Sequence, residues 1–229
     1  MSMHADHSPS GQSVAPNHAA LMDKVYRRQR YFYDFTRKYY LFGRDRAIRE
    51  LQLPAGARLV EVGCGTARNL VRIARRYPNS PLFGLDASFE MLRTAGRSIK
   101  RAKLDRHVVL AHGYAEALSP ALFGESEPFD VVVFSYSLSM IPDWRLALKA
   151  AHSALAPGGR IHIVDFGDFT GLGKVGERAL RTWLGLFHVL PRTELLGEFE
   201  LEPGAQLRVL PGRYAFVLSL GKSPAPIVP

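Results

Sequence analysis

Between residues 58 and 164 the chain alternates short, almost unbroken apolar runs with longer stretches whose apolar positions recur every three or four residues. Arg58–Val62, Leu82–Leu85, His107–Ala111, Asp130–Phe134 and Arg160–Val164 have strand length and are built mostly of Val, Ile, Leu and Phe. Arg68–Tyr77, Phe89–Arg101 and Trp144–Leu155 have helical spacing; the first stops before Pro78 and the last before Pro157-Gly158-Gly159. Because the strand runs do not alternate with polar residues, they predict strands buried on both faces of a parallel sheet. A further helix is predicted over Lys174–Val189. Gln206–Leu210 and Tyr214–Leu220, joined by Pro211-Gly212-Arg213, predict an antiparallel hairpin at the end.

Upstream, residues 1–16 are rich in His, Ser, Pro and Gly and read as a disordered tail. His18–Gln52 has a helical pattern, expected as two helices, closed by Pro54 and Gly56. The expected fold is α/β: a doubly wound, mostly parallel seven-stranded sheet with a C-terminal antiparallel hairpin. One domain is expected over residues 17–229, with an N-terminal helical lid (17–53) on an α/β core (57–220).

Composition changes little in this picture. Of 229 residues, 47% are apolar and 22% charged, which suits one ordinary globular core. The single cysteine, Cys64, has no internal partner, in keeping with a reducing cytoplasm. The net charge of +9 is more informative, since it draws a protein to polyanions such as nucleic acid or an anionic membrane face. No apolar run approaches the ~20 residues of a spanning helix, so any membrane contact is expected to be peripheral. The histidines are scattered and there is no cysteine pair, so no metal site is expected.

The candidate chemistry begins at Leu59-Val60-Glu61-Val62-Gly63-Cys64-Gly65-Thr66-Ala67, a strand entering a glycine turn and then a helix. In open α/β sheets ligands bind at the carboxyl ends of the strands, where small residues let them approach the backbone. A dinucleotide fingerprint needs a third glycine where Arg68 stands, and a phosphate-binding Walker loop needs Gly-Lys-Ser/Thr. Both fail. Glu61 at the strand end repels pyrophosphate but suits the ammonium of a methionine moiety. The next strand ends in Leu85-Asp86-Ala87-Ser88, placing an acid about twenty positions beyond the loop, where it can accept from ribose hydroxyls. Asp86 as a plain helix N-cap is the alternative.

These residues resemble the class I S-adenosylmethionine-dependent methyltransferases over about residues 57–165. Glu61-Val62-Gly63-Cys64-Gly65-Thr66, Gly84-Leu85-Asp86-Ala87-Ser88, Gly113-Tyr114-Ala115-Glu116-Ala117-Leu118, Phe129-Asp130-Val131-Val132 and Leu155-Ala156-Pro157-Gly158-Gly159-Arg160 occur in the family's order. The resemblance implies S-adenosylmethionine as cofactor. It puts Glu61, Gly63, Cys64, Gly65 and Asn69 near the methionine part, Asp86, Ala87 and Met91 near ribose and adenine, and Tyr114, Ala115 and Ser135 around the same site. Many relatives carry Asp where this chain has Tyr114, which leaves stacking or a backbone contact for that residue.

The acceptor is the next question. The strand Asp130–Phe134 runs into Ser135-Tyr136-Ser137-Leu138, not the Asn/Asp-Pro-Pro-aromatic motif of base amino-methylases, and the only Cys lies in the cofactor loop. Both features argue against a nucleic-acid partner despite the charge. Residues 18–50 hold nine Lys/Arg against four Asp/Glu, and seven aromatics fall between Tyr26 and Tyr40. That pattern suits either a lid packed on the sheet or a membrane interface, where rings sit at headgroup level and cations meet anionic lipid. The segment Ala19–Met22 with Tyr26-Arg27, Gln29-Arg30, Tyr33-Asp34, Thr36-Arg37-Lys38-Tyr39-Tyr40 and Gly43-Arg44-Asp45 resembles the bacterial betaine-lipid N-methyltransferases. These trimethylate diacylglyceryl-homoserine. The resemblance implies a lipid substrate at the membrane surface and a cytoplasmic protein peripherally associated with the inner face of the membrane. Tyr26, Tyr33, Tyr40 and Tyr136 are candidates for an aromatic wall holding the amine, with Tyr33 and Tyr136 the candidate catalytic pair and Tyr26 and Tyr40 binding substrate. Arg37 or Arg44 is expected to bind the homoserine carboxylate. Trp183, Leu184, Leu186 and Phe187 are a second candidate lipid contact, and His18 or His188 a candidate base. A phosphatidylethanolamine, quinone-precursor or small-molecule acceptor is the enzymatic alternative, and a non-catalytic membrane- or partner-binding protein the other.

Overall fold

The computed structural model describes residues 43–186, 189–199 and 204–222. Within them, α1 (Arg44–Glu50) precedes β1 (Leu59–Val62), α2 (Arg68–Arg76), β2 (Leu82–Asp86), α3 (Phe89–Arg101), β3 (Val108–His112) and β4 (Phe129–Ser135). Then come α4 (Trp144–Ala154), β5 (Leu155–Phe166), α5 (Gly173–Gly185), α6 (Glu194–Phe199), β6 (Ala205–Val209) and β7 (Ala215–Gly221). The strands form one seven-stranded sheet in the order β3-β2-β1-β4-β5-β7-β6. The first five strands are parallel, and β7 runs antiparallel between β5 and β6. The order reverses between β1 and β4, so their carboxyl ends open a crevice.

The apolar runs explain this arrangement. All four residues of β1 are buried, as are six of the seven in β4, so helices must cover both faces. On one face α2 buries Leu70, Ile73 and Ala74 and α3 buries Met91, Ala95 and Ile99, positions three or four apart that make one stripe. On the other, Phe83, Phe123 and Phe129 meet edge to face at 5.3–5.8 Å, and α4 adds Trp144, Ala147 and Ala151. A third cluster gathers Tyr136, Val164, Phe166, Phe169 and Leu184 with Ala47 of α1, joining α1 and α5 to the ends of β4 and β5.

Several boundaries differ from the expectation. Strand β5 begins at Leu155, because Pro157-Gly158-Gly159 makes an irregularity within the strand; Gly158 has φ 75° and the β4–β5 register shifts between Phe129 and Val131. The edge strand β3 is not buried on both faces but shows partial exposure. Helix α5 ends at Gly185, short of the expected Val189, and α6 was not expected. Most of the expected lid, residues 17–42, lies outside the described residues; from it only α1 and its flanks are seen.

Two ionisable groups are buried in β5. Burial pushes Asp165 from 3.8 up to about 6, and burial with the Arg160 charge pushes His162 from 6.5 down to about 4. The folded protein therefore holds the Asp165 proton more tightly than the unfolded chain, and that stability is lost as pH rises from about 4 to about 6. His162 does the opposite: the unfolded chain takes up its proton first, so stability is gained as pH rises from about 4 to about 6.5. Each contribution is about 3 kcal/mol and the two nearly cancel. Urea unfolding at both ends of this window should show His162→Gln losing about 3 kcal/mol relative to wild type as pH rises, and Asp165→Asn gaining about as much. Flat difference curves would mean that neither group titrates in the native state with these shifts.

Candidate active site

The glycine turn follows from the end of β1. Gly63 and Gly65 have φ of 73° and 54°, which only glycine adopts readily, and Ala67 at 61° closes the turn before α2. The N–H groups of Gly63 and Cys64 both donate to the Leu85 carbonyl, at 2.8 and 3.0 Å, tying the turn to the end of β2. From the other side the Ser137 hydroxyl donates to the Val62 carbonyl at 2.8 Å, and a Cβ on Gly63 would stand 2.6 Å from the Ser137 Cβ.

Asp86 completes the crevice. Its Oδ2 accepts the Gly65 N–H at 2.7 Å and its Oδ1 accepts the Ser88 N–H at 2.9 Å. The plain capping alternative therefore falls to its neighbour: Ser88 caps α3, its Oγ accepting the Met91 N–H at 3.4 Å. A carboxylate offers about four acceptor sites, so shaping the turn and accepting from a ligand are compatible.

A cavity opens above the turn. Gly63 and Gly65 form its floor; Asp86, Ala87 and Met91 line one wall, and Tyr114, Ala115 and Glu116 another. Its far end is closed by Tyr136, Ser137 and Met140-Ile141-Pro142. The structure thus brings together Gly63, Gly65, Asp86, Ala87, Met91, Tyr114, Ala115 and Tyr136. Glu61 and Asn69 sit buried behind the turn rather than in the wall, and Asn69 Nδ2 donates to Glu61 Oε1 at 2.6 Å. Asn69 Oδ1 is buried with no hydrogen-bond partner among the described residues.

Cys64 and Ser135 do not line the cavity. The Cys64 side chain turns into the core beside Gly84, where a Cβ would come within 2.9 Å of its Sγ. Burial, then the charges of Asp86 and Glu61, push its thiol well up, so it is no nucleophile. Ser135 is buried in the sheet as the last residue of β4. Tyr26, Tyr33, Arg37, Tyr40, His18, Phe187 and His188 lie outside the described residues. Of the second candidate lipid contact, Leu184 is fully buried and Trp183 packs against the third cluster.

At the far end, Tyr136 is nearly fully buried with φ 55°, a left-handed conformation held by its N–H donating to Val164 O at 2.7 Å. Its ring meets Phe166 edge to face at 4.7 Å. Burial, then Tyr214 and Asp165, push its phenol well above 10, while the Arg44 guanidinium acts in the opposite direction. The phenol is therefore a neutral donor and an aromatic face, not a base. Arg44, the first residue of α1, is itself buried and is thus placed within electrostatic reach of this end.

Sequence reasoning missed the residues that hold the far wall. Asp165 Oδ2 accepts the Ser139 N–H at 3.1 Å, and Leu190 N–H donates to Ser139 O at 2.9 Å. Arg192 donates to the carbonyls of Leu138 and Ile141 at 3.3 and 2.7 Å. An acid at the carboxyl end of β5, as Asp165 is, was the available signal. Among the described residues there is no group of three metal-ligating side chains.

This chemistry fits a ligand with an ammonium, a ribose and a flat base. Asp86 offers carboxylate acceptors on the cavity wall and Met91 and Ala115 offer apolar surface, while Glu61 places a buried carboxyl behind the turn. Comparison with known proteins agrees. A family model described as "Methyltransferase domain" matches residues 59–159. A ubiquinone/menaquinone biosynthesis C-methyltransferase of Syntrophotalea carbinolica is 29% identical over 219 residues, covering 91% of this chain and 81% of that protein. A demethylmenaquinone methyltransferase of Geobacillus kaustophilus is 32% identical over 117 residues, 51% of this chain and 48% of that protein, so the chain spans about half of such relatives. Among solved structures, the S-adenosylmethionine-dependent methyltransferase SibL superposes with TM-score 0.61 at 20% identity, over 92% of this chain and 71% of that one. A SAM-dependent methyltransferase from Aquifex aeolicus gives 0.60 at 14%, over 91% and 99%. These two show the shared fold.

Proposed function

We propose that this chain, an S-adenosylmethionine-dependent methyltransferase, methylates the amine of a diacylglyceryl-homoserine headgroup to give the trimethylated betaine lipid. The observation that carries this reading is Arg44: a buried guanidinium whose charge acts on Tyr136, a residue that lines the cavity. A homoserine headgroup presents a carboxylate beside its amine, and a guanidinium binds carboxylate through two parallel hydrogen bonds. The resemblance of the segment ending at Arg44-Asp45 to the betaine-lipid enzymes points the same way.

Bound S-adenosylmethionine supplies an electrophilic methyl group. In this reading Asp86 accepts from the ribose, Glu61 and Asn69 receive the ammonium, and Met91, Ala115 and Tyr114 border the adenine. Arg44 fixes the carboxylate so that the neutral amine lies in line with the donor, the main source of acceleration in such a displacement. The amine nitrogen forms the new bond, the sulfonium leaves as a thioether, and the first two transfers each release one proton from nitrogen. Tyr136 offers its face to the increasingly cationic amine without competing as a nucleophile; Tyr33, Tyr26, Tyr40 and Arg37 complete the acceptor side in this reading.

A second reading, methyl transfer to a quinone-ring carbon, is favoured by the name of the Syntrophotalea carbinolica relative. Two arms separate them. In a bacterium without betaine lipids, supplied with an enzyme that makes diacylglyceryl-homoserine, expression should yield the trimethylated lipid by mass spectrometry. In a strain lacking its own demethylmenaquinone methyltransferase, the same chain should leave the quinone unmethylated. The reverse pattern would replace the first reading by the second.

A further inference from the structure

Helix α5 is amphipathic on its inner side, where Leu184 is fully buried and Leu180 and Trp183 pack on the cluster that holds Tyr136. Its outer side is unusual. Val175 is 86% exposed and Leu186 68% exposed, with Leu172 exposed just before the helix and Leu190 just after it. At 100° per residue, Val175, Ala179, Thr182 and Leu186 fall in one narrow outward stripe. Lys174, Arg178 and Arg181 all fall on one flank of that stripe. Arg181 is engaged by Glu177 and the Asp168 carbonyl, whereas no ion pair among the described residues involves Lys174 or Arg178. An outward apolar stripe beside a basic flank is the arrangement of helices that lie in a lipid–water interface.

We propose that the outer face of α5 docks on an anionic lipid bilayer, with the Val175–Leu186 stripe entering the acyl boundary and Lys174 and Arg178 meeting the headgroups. The basic flank and the chain's +9 charge select this occupant over a second copy of the chain, which would bring like charges together. No described helix is long and apolar enough to cross a membrane, so the contact is superficial. Because the inner side of α5 packs on the cluster containing Tyr136 and Met140, both of which line the cavity, docking here brings the acceptor end toward the bilayer. The inference deepens the lipid-acceptor reading, but its test needs no acceptor and so fails or succeeds separately.

Full-length protein is sedimented with phosphatidylcholine vesicles, with and without phosphatidylglycerol, none containing a homoserine lipid. Wild type should bind the anionic vesicles. Val175→Glu/Leu186→Glu and Lys174→Glu/Arg178→Glu should each lose about tenfold or more in partitioning. Calorimetric affinity for S-adenosylmethionine should be unchanged in both, which shows that the variants fold. Wild-type protein that ignores anionic vesicles, or variants that bind them as wild type does, would overturn the proposal. So would a concentration-dependent dimer that Val175→Glu/Leu186→Glu dissolves.

Discussion

Replacing Asp86 with alanine should lower affinity for S-adenosylmethionine by at least about 100-fold, with methyl transfer lost in proportion. The carboxylate accepts two backbone N–H groups, from Gly65 and Ser88, and so sets both the glycine turn and the start of α3. Hydrogen bonds to a charged acceptor contribute about 1.5–3 kcal/mol each, and alanine removes both along with any bond to the ligand. Asp86→Asn keeps one acceptor oxygen and most of the shape, and should lose about tenfold. Calorimetry with the purified protein, alongside a thermal melt to verify folding, reads both. Wild-type affinity in Asp86→Ala would mean that the carboxylate neither shapes the turn productively nor touches the ligand.

How far the sequence revealed such residues depends on what kind of signal each carries. Glu61, Gly63, Gly65 and Asp86 stand where a buried parallel strand gives way to a turn, and an acid or glycine there interrupts an apolar run, so chain position alone exposes them. Asp165 occupies the equivalent place at the end of β5, yet it was missed because Val164 and Phe166 surround it with apolar residues. The far wall, Ser137 and Met140-Ile141-Pro142, is a short 3-10 turn whose shape depends on Asp165 and Arg192, 26 residues or more away. Local pattern cannot carry a contact of that separation. The same holds for Cys64: its place in the glycine motif suggested the cofactor, but only the packing of β2 shows that the thiol fills the space left by Gly84. Within the sheet, the runs predicted the central strands and the C-terminal hairpin well and misjudged the burial of β3, because an edge strand with partial exposure differs from a central one in its neighbours rather than in its own residues.

Arg44 gives the sharpest test of the acceptor. Gly43 precedes it at φ 83°, packed so closely that a Cβ would stand 2.3 Å from Leu210 Cδ1, while Ala47 anchors α1 in the cluster with Tyr136. The guanidinium is therefore placed by the fold and is not a mobile surface charge. If it binds the homoserine carboxylate, Arg44→Ala should lower kcat/KM for diacylglyceryl-homoserine by about 100-fold, the effect of losing a desolvated, bidentate ion pair. Arg44→Lys keeps the charge but not the planar fork, and should recover only part of that loss. Cofactor affinity should be the same in all three proteins, since Arg44 is not among the cavity-lining residues. A quinone ring has no carboxylate, so that acceptor gives no reason for a loss graded from arginine through lysine to alanine. Equal falls in cofactor and acceptor binding would instead make Arg44 a structural ion pair of α1, and the carboxylate assignment would have to be withdrawn.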